Sequence, residues 1–491
     1  IEAGEKWNIA LRQMGIRGTN AANLSVSLLP DLGLEKQLEY LIRYPHGCIE
    51  QTTSAAFPQV FLERFVSLDA DQLEKAQSNV QRALNRLLSF QTVYGGFSYW
   101  PGGERVSTWG TNYAGHFMLE AEKAGYTLPA GMRNQWLRFQ KDAASRWTRR
   151  DADVHYSTDN DLIQAYRLYT LALAGEADMG AMNRLKSDAK LSAKGSWRLA
   201  AAYALIGRND AARELISLSF PREAYRELGH TYGSNVRDLA MAIETLAAMK
   251  EIDKAAPMMV ELAKELNEGW HSTQTRAYSL VAFARILGDA SRQEGFAITC
   301  TLNGQAQKIR SEKAVYLRNI SESELAEGQL LLENRSDQPL FAQLYQSGIP
   351  LENSVEDAQN SMEMEVRYTD MQGQAIDVAA LEQGTDFKAI VTIQHPNVRG
   401  NYEEMALEQL FPSGWQIVNK RLNEGGATQA PLEYQDIRDD RVYSYFDLAK
   451  GSQIEIEVLL NATFCGDFYL PAVSAYAMYD DSISAVRKGG W

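Results

Sequence analysis

Four copies of a short apolar pattern, returning at a near-constant interval, constrain this chain more than any other feature. Ala165-Tyr166-Arg167-Leu168, Ala202-Tyr203-Ala204-Leu205, Ala240-Met241-Ala242-Ile243 and Ala277-Tyr278-Ser279-Leu280 are separated by 37, 38 and 37 residues. Each copy lies in an Ala/Leu/Arg-rich stretch with helical spacing, and the interval accommodates one helical hairpin. Such a hairpin buries its apolar face only on its neighbours, so the stack must extend as a solenoid or close as a ring. An earlier copy at Ala114-Gly115-His116-Phe117 lies 51 residues before the next, so that unit carries an insertion. The span from Leu32 to about Ala290 holds about six hairpins, which suits a closed α/α toroid that needs no capping unit.

The flanks have a different period. Asn23-Leu24-Ser25-Val26-Ser27-Leu28-Leu29-Pro30 alternates apolar and polar residues before a proline stop, as a strand does. Beyond Arg292 a period of two resumes at Phe296–Leu302, Gln329–Leu332 and Leu340–Tyr345 and runs to the end, with turns such as Leu302-Asn303-Gly304 and Met371-Gln372-Gly373. We therefore expect the helices to be inserted into one β unit and a second β unit to follow. The acidic stretch Glu352–Asn360 reads as the linker between them.

At 491 residues the chain exceeds what one core supports. With 45% apolar and 23% charged residues, each domain can fill a core. The net charge of -14 and the lack of any Lys/Arg-rich run exclude a nucleic-acid or anionic-lipid binder. No apolar run reaches the roughly 18 residues of a membrane span. Cys48, Cys300 and Cys465 are widely spaced, with no CxxC or Cys/His cluster, so we expect no structural metal and no cofactor. Cys300 and Cys465 read as free thiols within strands. The chain opens at Ile1 and closes on Lys488-Gly489-Gly490-Trp491, which we expect to be cuts in a larger protein.

Chemistry concentrates in Tyr44-Pro45-His46-Gly47-Cys48-Ile49-Glu50-Gln51-Thr52-Thr53-Ser54. Pro45 restricts the residue before it, and Gly47 permits a sharp or left-handed turn, so a helix can begin directly after Cys48. A thiol at a helix N-terminus is a stronger nucleophile, because the exposed amides and the dipole favour the thiolate. Gln51 lies one turn on, on the same face. Attack of sulfur on its carboxamide would expel ammonia and leave a thioester, with proximity supplied by the fold. A structural Cys capping a helix, with Gln51 merely exposed, accounts for the same residues, and a bare CxEQ does not decide between them.

The wider segment resembles the YPYGCxEQTTS of the bacterial α2-macroglobulin family and, more loosely, the GCGEQ of animal members and complement factors. His46 stands where many bacterial members carry Tyr. Gly95-Gly96-Phe97-Ser98-Tyr99-Trp100-Pro101-Gly102-Gly103 with Ser107-Thr108-Trp109 looks like the family's first toroid repeat, and Trp270-His271-Ser272-Thr273-Gln274 like its last. Leu470–Asp480 resembles the last strand of the terminal macroglobulin domain. The resemblance implies an α/α toroid thioester domain (31–291) inserted in a CUB-like β-sandwich (1–30 and 292–360). A macroglobulin-type β-sandwich (361–491) follows. It also implies that Cys48 and Gln51 form the thioester, with Pro45, Gly47 and Glu50 in support, and that Tyr44 and Met478 shield it from water. Their other reading is ordinary interface packing. Glu50 reads equally as a first-turn acid on the helix dipole.

Some complement factors pass the acyl group through a toroid His. His155 is the nearest by position, though nothing around it reproduces that segment, and a solvated loop His fits it better. His116, His271, Trp100 and Trp109 read as packing or capping residues.

The resemblance implies a stoichiometric protease trap rather than an enzyme: a lysine amine of an attacking protease takes the Gln51 acyl group. It places the protein in the periplasm or cell envelope, lipid-anchored in some relatives through a part outside this chain, with a penicillin-binding protein as a neighbour in some. Two other readings are an α/α-toroid enzyme, for which Asp159-Asn160-Asp161 falls short of an Asp-rich motif, and a thioester adhesin that binds host surfaces.

Overall fold

The computed structural model describes residues 1–28, 47–65, 70–148, 160–216, 220, 231–267, 271–289, 295–313, 315–326, 328–349, 355–418 and 432–491. It divides into two compact units, Ile1–Leu351 and Glu352–Trp491.

In the first unit, α1 (Ile49–Ala56), α4 (Thr108–Lys123), α6 (Asn160–Leu173), α8 (Ala193–Leu205), α10 (Asn235–Ala248) and α12 (Thr273–Asp289) form the inner ring. The repeated tetrapeptides and their earlier copy fall on α4, α6, α8, α10 and α12. Each inner helix packs on the next, and α12 returns to α1, so the ring closes. Helices α3 (Ala70–Leu87), α5 (Met132–Arg146), α7 (Met179–Lys186), α9 (Asn209–Leu215) and α11 (Ile252–Asn267) alternate with them in the chain; α2 is the short Leu62–Phe65. The two sets differ in burial. Helix α4 buries every residue from Trp109 to Ala121, whereas α5 buries the single stripe Met132, Trp136, Gln140 and Ala144, spaced one turn apart. Helices of the first kind bury polar groups as well as apolar ones, among them Asn112, His116, Arg198 and Glu244.

Strands β1 (Lys6–Ala10) and β2 (Ala21–Ser27) precede the helices, and β3 (Phe296–Leu302), β4 (Gln305–Ser311), β5 (Val315–Ile320), β6 (Gln329–Asn334) and β7 (Phe341–Ser347) follow, with the short helix α13 (Glu322–Leu325) between β5 and β6. They build one sheet in the order β1-β6-β3-β4 and another in the order β5-β2-β7, joined by a core that includes Leu24, Val26, Ile298, Cys300, Leu330 and Leu332. Because β1 pairs with β6 and β2 with β5 and β7, the helices are an insertion in a CUB-like sandwich. The β3–β4 hairpin turns on Asn303 (φ 50°) and Gly304 (φ 80°), the left-handed pair that an Asn-Gly turn supplies.

The second unit is a sandwich of the sheets β12-β15-β10-β9 and β13-β14-β11-β16-β17-β8. Its strands are β8 (Ala358–Asn360), β9 (Glu363–Asp370), β10 (Asp386–Gln394), β11 (Tyr402–Leu410), β12 (Trp415–Ile417), β13 (Tyr434–Ile437), β14 (Arg441–Leu448), β15 (Gln453–Ala462), β16 (Val473–Ala477) and β17 (Asp480–Arg487). Three expectations change. Residues 358–360 pair with β17 and so go with the second unit, where 292–360 was expected to belong to the first. The Leu470–Asp480 segment holds β16, which is followed by β17 and is not the last strand. Cys300 lies in β3, but Cys465 is exposed in the loop after β15. No helix among the described residues is long and apolar enough to cross a membrane.

Candidate functional site

Cys48 is the N-cap of α1 and is fully buried. Its backbone is extended (φ -71°, ψ 175°), and it is joined to Gln51 twice: the Gln51 N–H donates to Cys48 Sγ at 3.4 Å, and the Cys48 N–H donates to Gln51 Oε1 at 3.3 Å. This is a capping box in which thiol and carboxamide replace the usual hydroxyl and carboxylate. Gln51 thus turns its carboxamide back over the cap. The Cys48 carbonyl accepts from Thr52, and the Ile49 N–H donates to Tyr99 O at 2.9 Å, so the loop containing Gly95–Gly103 supports the first turn.

Gly47 is buried and left-handed at φ 93°, and a Cβ there would stand 2.0 Å from Gln51 Oε1. Any side chain at this position would push the carboxamide from where it stands. The Gly47 carbonyl accepts from Arg86 Nη2 of α3 at 3.2 Å. On the other side of α1, a Cβ at Gly110 would meet Ile49 at 2.7 Å, so this glycine lets α4 come close.

Glu50 is fully buried. Its Oε1 accepts from Ser54 Oγ at 2.6 Å, and both its oxygens accept from Thr273 Oγ1, at 2.8 and 2.9 Å. Ser54 also meets the Tyr113 hydroxyl at 3.1 Å. Burial, then the nearby Glu50 carboxylate, pushes the Tyr113 phenol well above its usual range, so it stays protonated.

Deeper in the ring, Glu244 collects partners from several inner helices. Arg198 Nη1 donates to its Oε2 at 2.6 Å, Tyr278 OH to its Oε2 at 2.7 Å and Tyr169 OH to its Oε1 at 3.1 Å. Burial alone would raise the Glu244 pKa, but the Arg198 and Arg285 guanidinium groups, with the Tyr278 hydrogen bond, outweigh it and hold the carboxyl at about 2. His116 is driven well below its ordinary value, first by burial; Glu244 opposes this, while Arg198 and Arg285 add to it. Its Nε2 stands 3.5 Å from Glu244, so this contact is that of a neutral ring with a carboxylate.

Of the expected site residues, the structure brings Gly47, Cys48, Glu50 and Gln51 together. Tyr44, Pro45 and His155 lie outside the described residues. Met478 is in the second unit, in the turn between β16 and β17, where it is buried and donates its N–H to Glu404 O at 3.0 Å. His116 and Trp109 are buried packing residues, and Trp100 is largely buried against Tyr99. His271 precedes α12, with Nε2 2.7 Å from Glu265 O. Sequence reasoning missed Arg86 and Thr273 as neighbours of the motif, and the bond from Ser54 to Glu50 within it. Thr273 and Tyr99 lie in segments already singled out, but nothing local said that they would reach α1.

Residues 23–145 match the A-macroglobulin TED domain, and residues 362–481 match the Bacterial Alpha-2-macroglobulin MG10 domain. The α2-macroglobulin of Escherichia coli strain K12 is 25% identical over 522 positions, covering 98% of this chain and 30% of that protein. That of Xylella fastidiosa strain Temecula1 is 26% identical, covering 95% and 30%. The chain thus spans about 30% of the length of these curated relatives. A crystal structure of native E. coli α2-macroglobulin from domain MG7 to the C-terminus superposes with a TM-score of 0.82 at 23% identity, over all of this chain and 80% of that one. Salmonella α2-macroglobulin reacted with methylamine gives 0.81 at 24%, over all of this chain and 33% of that one. With a closed helical ring set in a β-sandwich, a Cys-x-x-Gln cap at its first helix and both domain matches in chain order, the chain is similar in sequence and fold to part of the bacterial α2-macroglobulins.

Proposed function

We propose that Cys48 and Gln51 close an internal thioester, and that this chain is the reactive part of a protease trap. The observation that carries the reading is the reciprocal cap, in which the backbone N–H of each residue donates to the side chain of the other across one helical turn, with Gly47 close against the Gln51 carboxamide. The sulfur attacks the side-chain carbonyl carbon, the C–N bond breaks, and the thiol proton leaves with the nitrogen as ammonia. A lysine amine of an attacking protease later adds to the same carbon; an amide forms, and the sulfur departs as a thiol after taking a proton. Each chain reacts once, so the protein is an inhibitor and not a catalyst. The methylamine-treated Salmonella relative of the same fold supports amine chemistry.

Under this reading Tyr44 and Met478 keep water from the thioester, His155 is the candidate acyl carrier, and the partners are proteases met in the periplasm or cell envelope. A penicillin-binding protein is the neighbour that the resemblance implies. In the Asp-bearing segment of the toroid-enzyme reading, the Asp161 carboxylate accepts from the Ser192 and Leu162 amides, and Asp159 lies outside the described residues.

Intact mass tests the proposal. The native chain is expected to be lighter by one ammonia than its sequence and to gain one methylamine, whereas Cys48→Ala has the full sequence mass and gains none. A native chain at full sequence mass that ignores methylamine would sink the reading.

A further inference from the structure

The ring has one seam where its last inner helix meets its first, and the acyl motif lies on that seam. Thr273 is the first residue of α12, so the carboxylate it holds also faces the positive end of that helix. The carboxylate belongs to Glu50, which sits between Ile49 and Gln51 in the first turn of α1 and is completely buried. A buried carboxylate is costly unless donors surround it, so its position is pinned where the Thr273 and Ser54 hydroxyls reach it. Cys48 itself is extended, and the segment that carries it is held separately by Arg86 at Gly47 and by Tyr99 at Ile49, so pinning Glu50 sets how the first turn, with Gln51, is turned against the Cys48 sulfur.

We propose that Thr273 is a positioning residue for the acyl site: its hydroxyl locks the rotation of α1 through Glu50, so that closing the ring and aligning sulfur with carbonyl are one event. The inference rests on the thioester reading and adds to it a residue 223 positions away in the chain.

The test compares wild type, T273V and T273S for methylamine taken up per folded chain, for the rate at which a free thiol appears at Cys48 in buffer, and for thermal melting. Valine keeps the shape without the donor; serine keeps the donor. Uptake by T273V is expected to fall at least about tenfold, the scale of a small misplacement of reacting groups, with melting still cooperative and with T273S restoring it. Wild-type uptake and thiol release in T273V would overturn the proposal while leaving the thioester intact. No uptake by wild type would instead remove the thioester reading itself. If T273V and Thr273→Ala both fail to fold while T273S folds, the hydroxyl serves the ring alone and the proposal is again overturned.

Discussion

The Cys48–Gln51 cap is bounded by close neighbours, and Gly47 stands nearest to the carboxamide. Gly47→Ala would have to accept φ 93° and a Cβ 2.0 Å from the Gln51 carbonyl oxygen, so the carboxamide must leave the cap. The variant is expected to lose methylamine uptake and about 1–3 kcal/mol of stability through backbone strain, read by intact mass and urea unfolding; uptake at the wild-type level would show that the carboxamide has another resting place. Much of this was legible beforehand: a glycine before a cysteine that starts a helix, with glutamine one turn on, is a local pattern. The Arg86 and Thr273 contacts were not, because they depend on which helices become neighbours once the ring closes. Cys465 misled for the reverse reason, since the alternating run before it ends at Ala462 and nothing in the residue types marks the exit from the strand.

Among elements, the inner helices are held by packing and by shared carboxylates, of which Glu244 gathers hydrogen-bond donors from α6, α8 and α12. Removing one member of a buried ionic group leaves the others unpaired, so Glu244→Gln is expected to cost about 3–5 kcal/mol at pH 7 by urea unfolding. The folded-state pKa of Glu244, about 2, lies below its ordinary 4.5, so its contribution is complete above pH 4.5 and is lost as the pH falls toward 2. The gap between wild type and variant should close over that interval; a gap independent of pH would show that the ion group is not its source. His116 acts in the same direction at higher pH. Its folded pKa is below 6.5, so the neutral ring is favoured on folding, and stability declines as the pH drops beneath 6.5. The helical period, the tetrapeptide interval and the β flanks were readable because each is a repeat. This carboxylate was not, since Arg198, Glu244 and Tyr278 stand tens of residues apart with no shared spacing. Strand β8 escaped because three exposed residues carry no alternation.

On the scale of the whole molecule, the second unit has its own sheets and cores. The cluster formed by Met364, Val391, Met405, Leu407, Phe446, Ile456, Ala475 and Ile483 lies wholly within Glu352–Trp491. Residues 352–491 made alone are expected to give a β-type circular dichroism spectrum and a cooperative melt; a molten or aggregated product would show that the division is not one of stability. The first unit cannot be shortened in the same way, because its ring closes α12 onto α1. The bond from Thr273 to Glu50 spans 223 residues. A ribosome adding about 5–20 residues each second takes on the order of tens of seconds to cover that stretch. Throughout that time the growing chain exposes its cysteine without the last helix, so the arrangement around the sulfur is among the final things synthesis can deliver, and a chain released before residue 273 never acquires it.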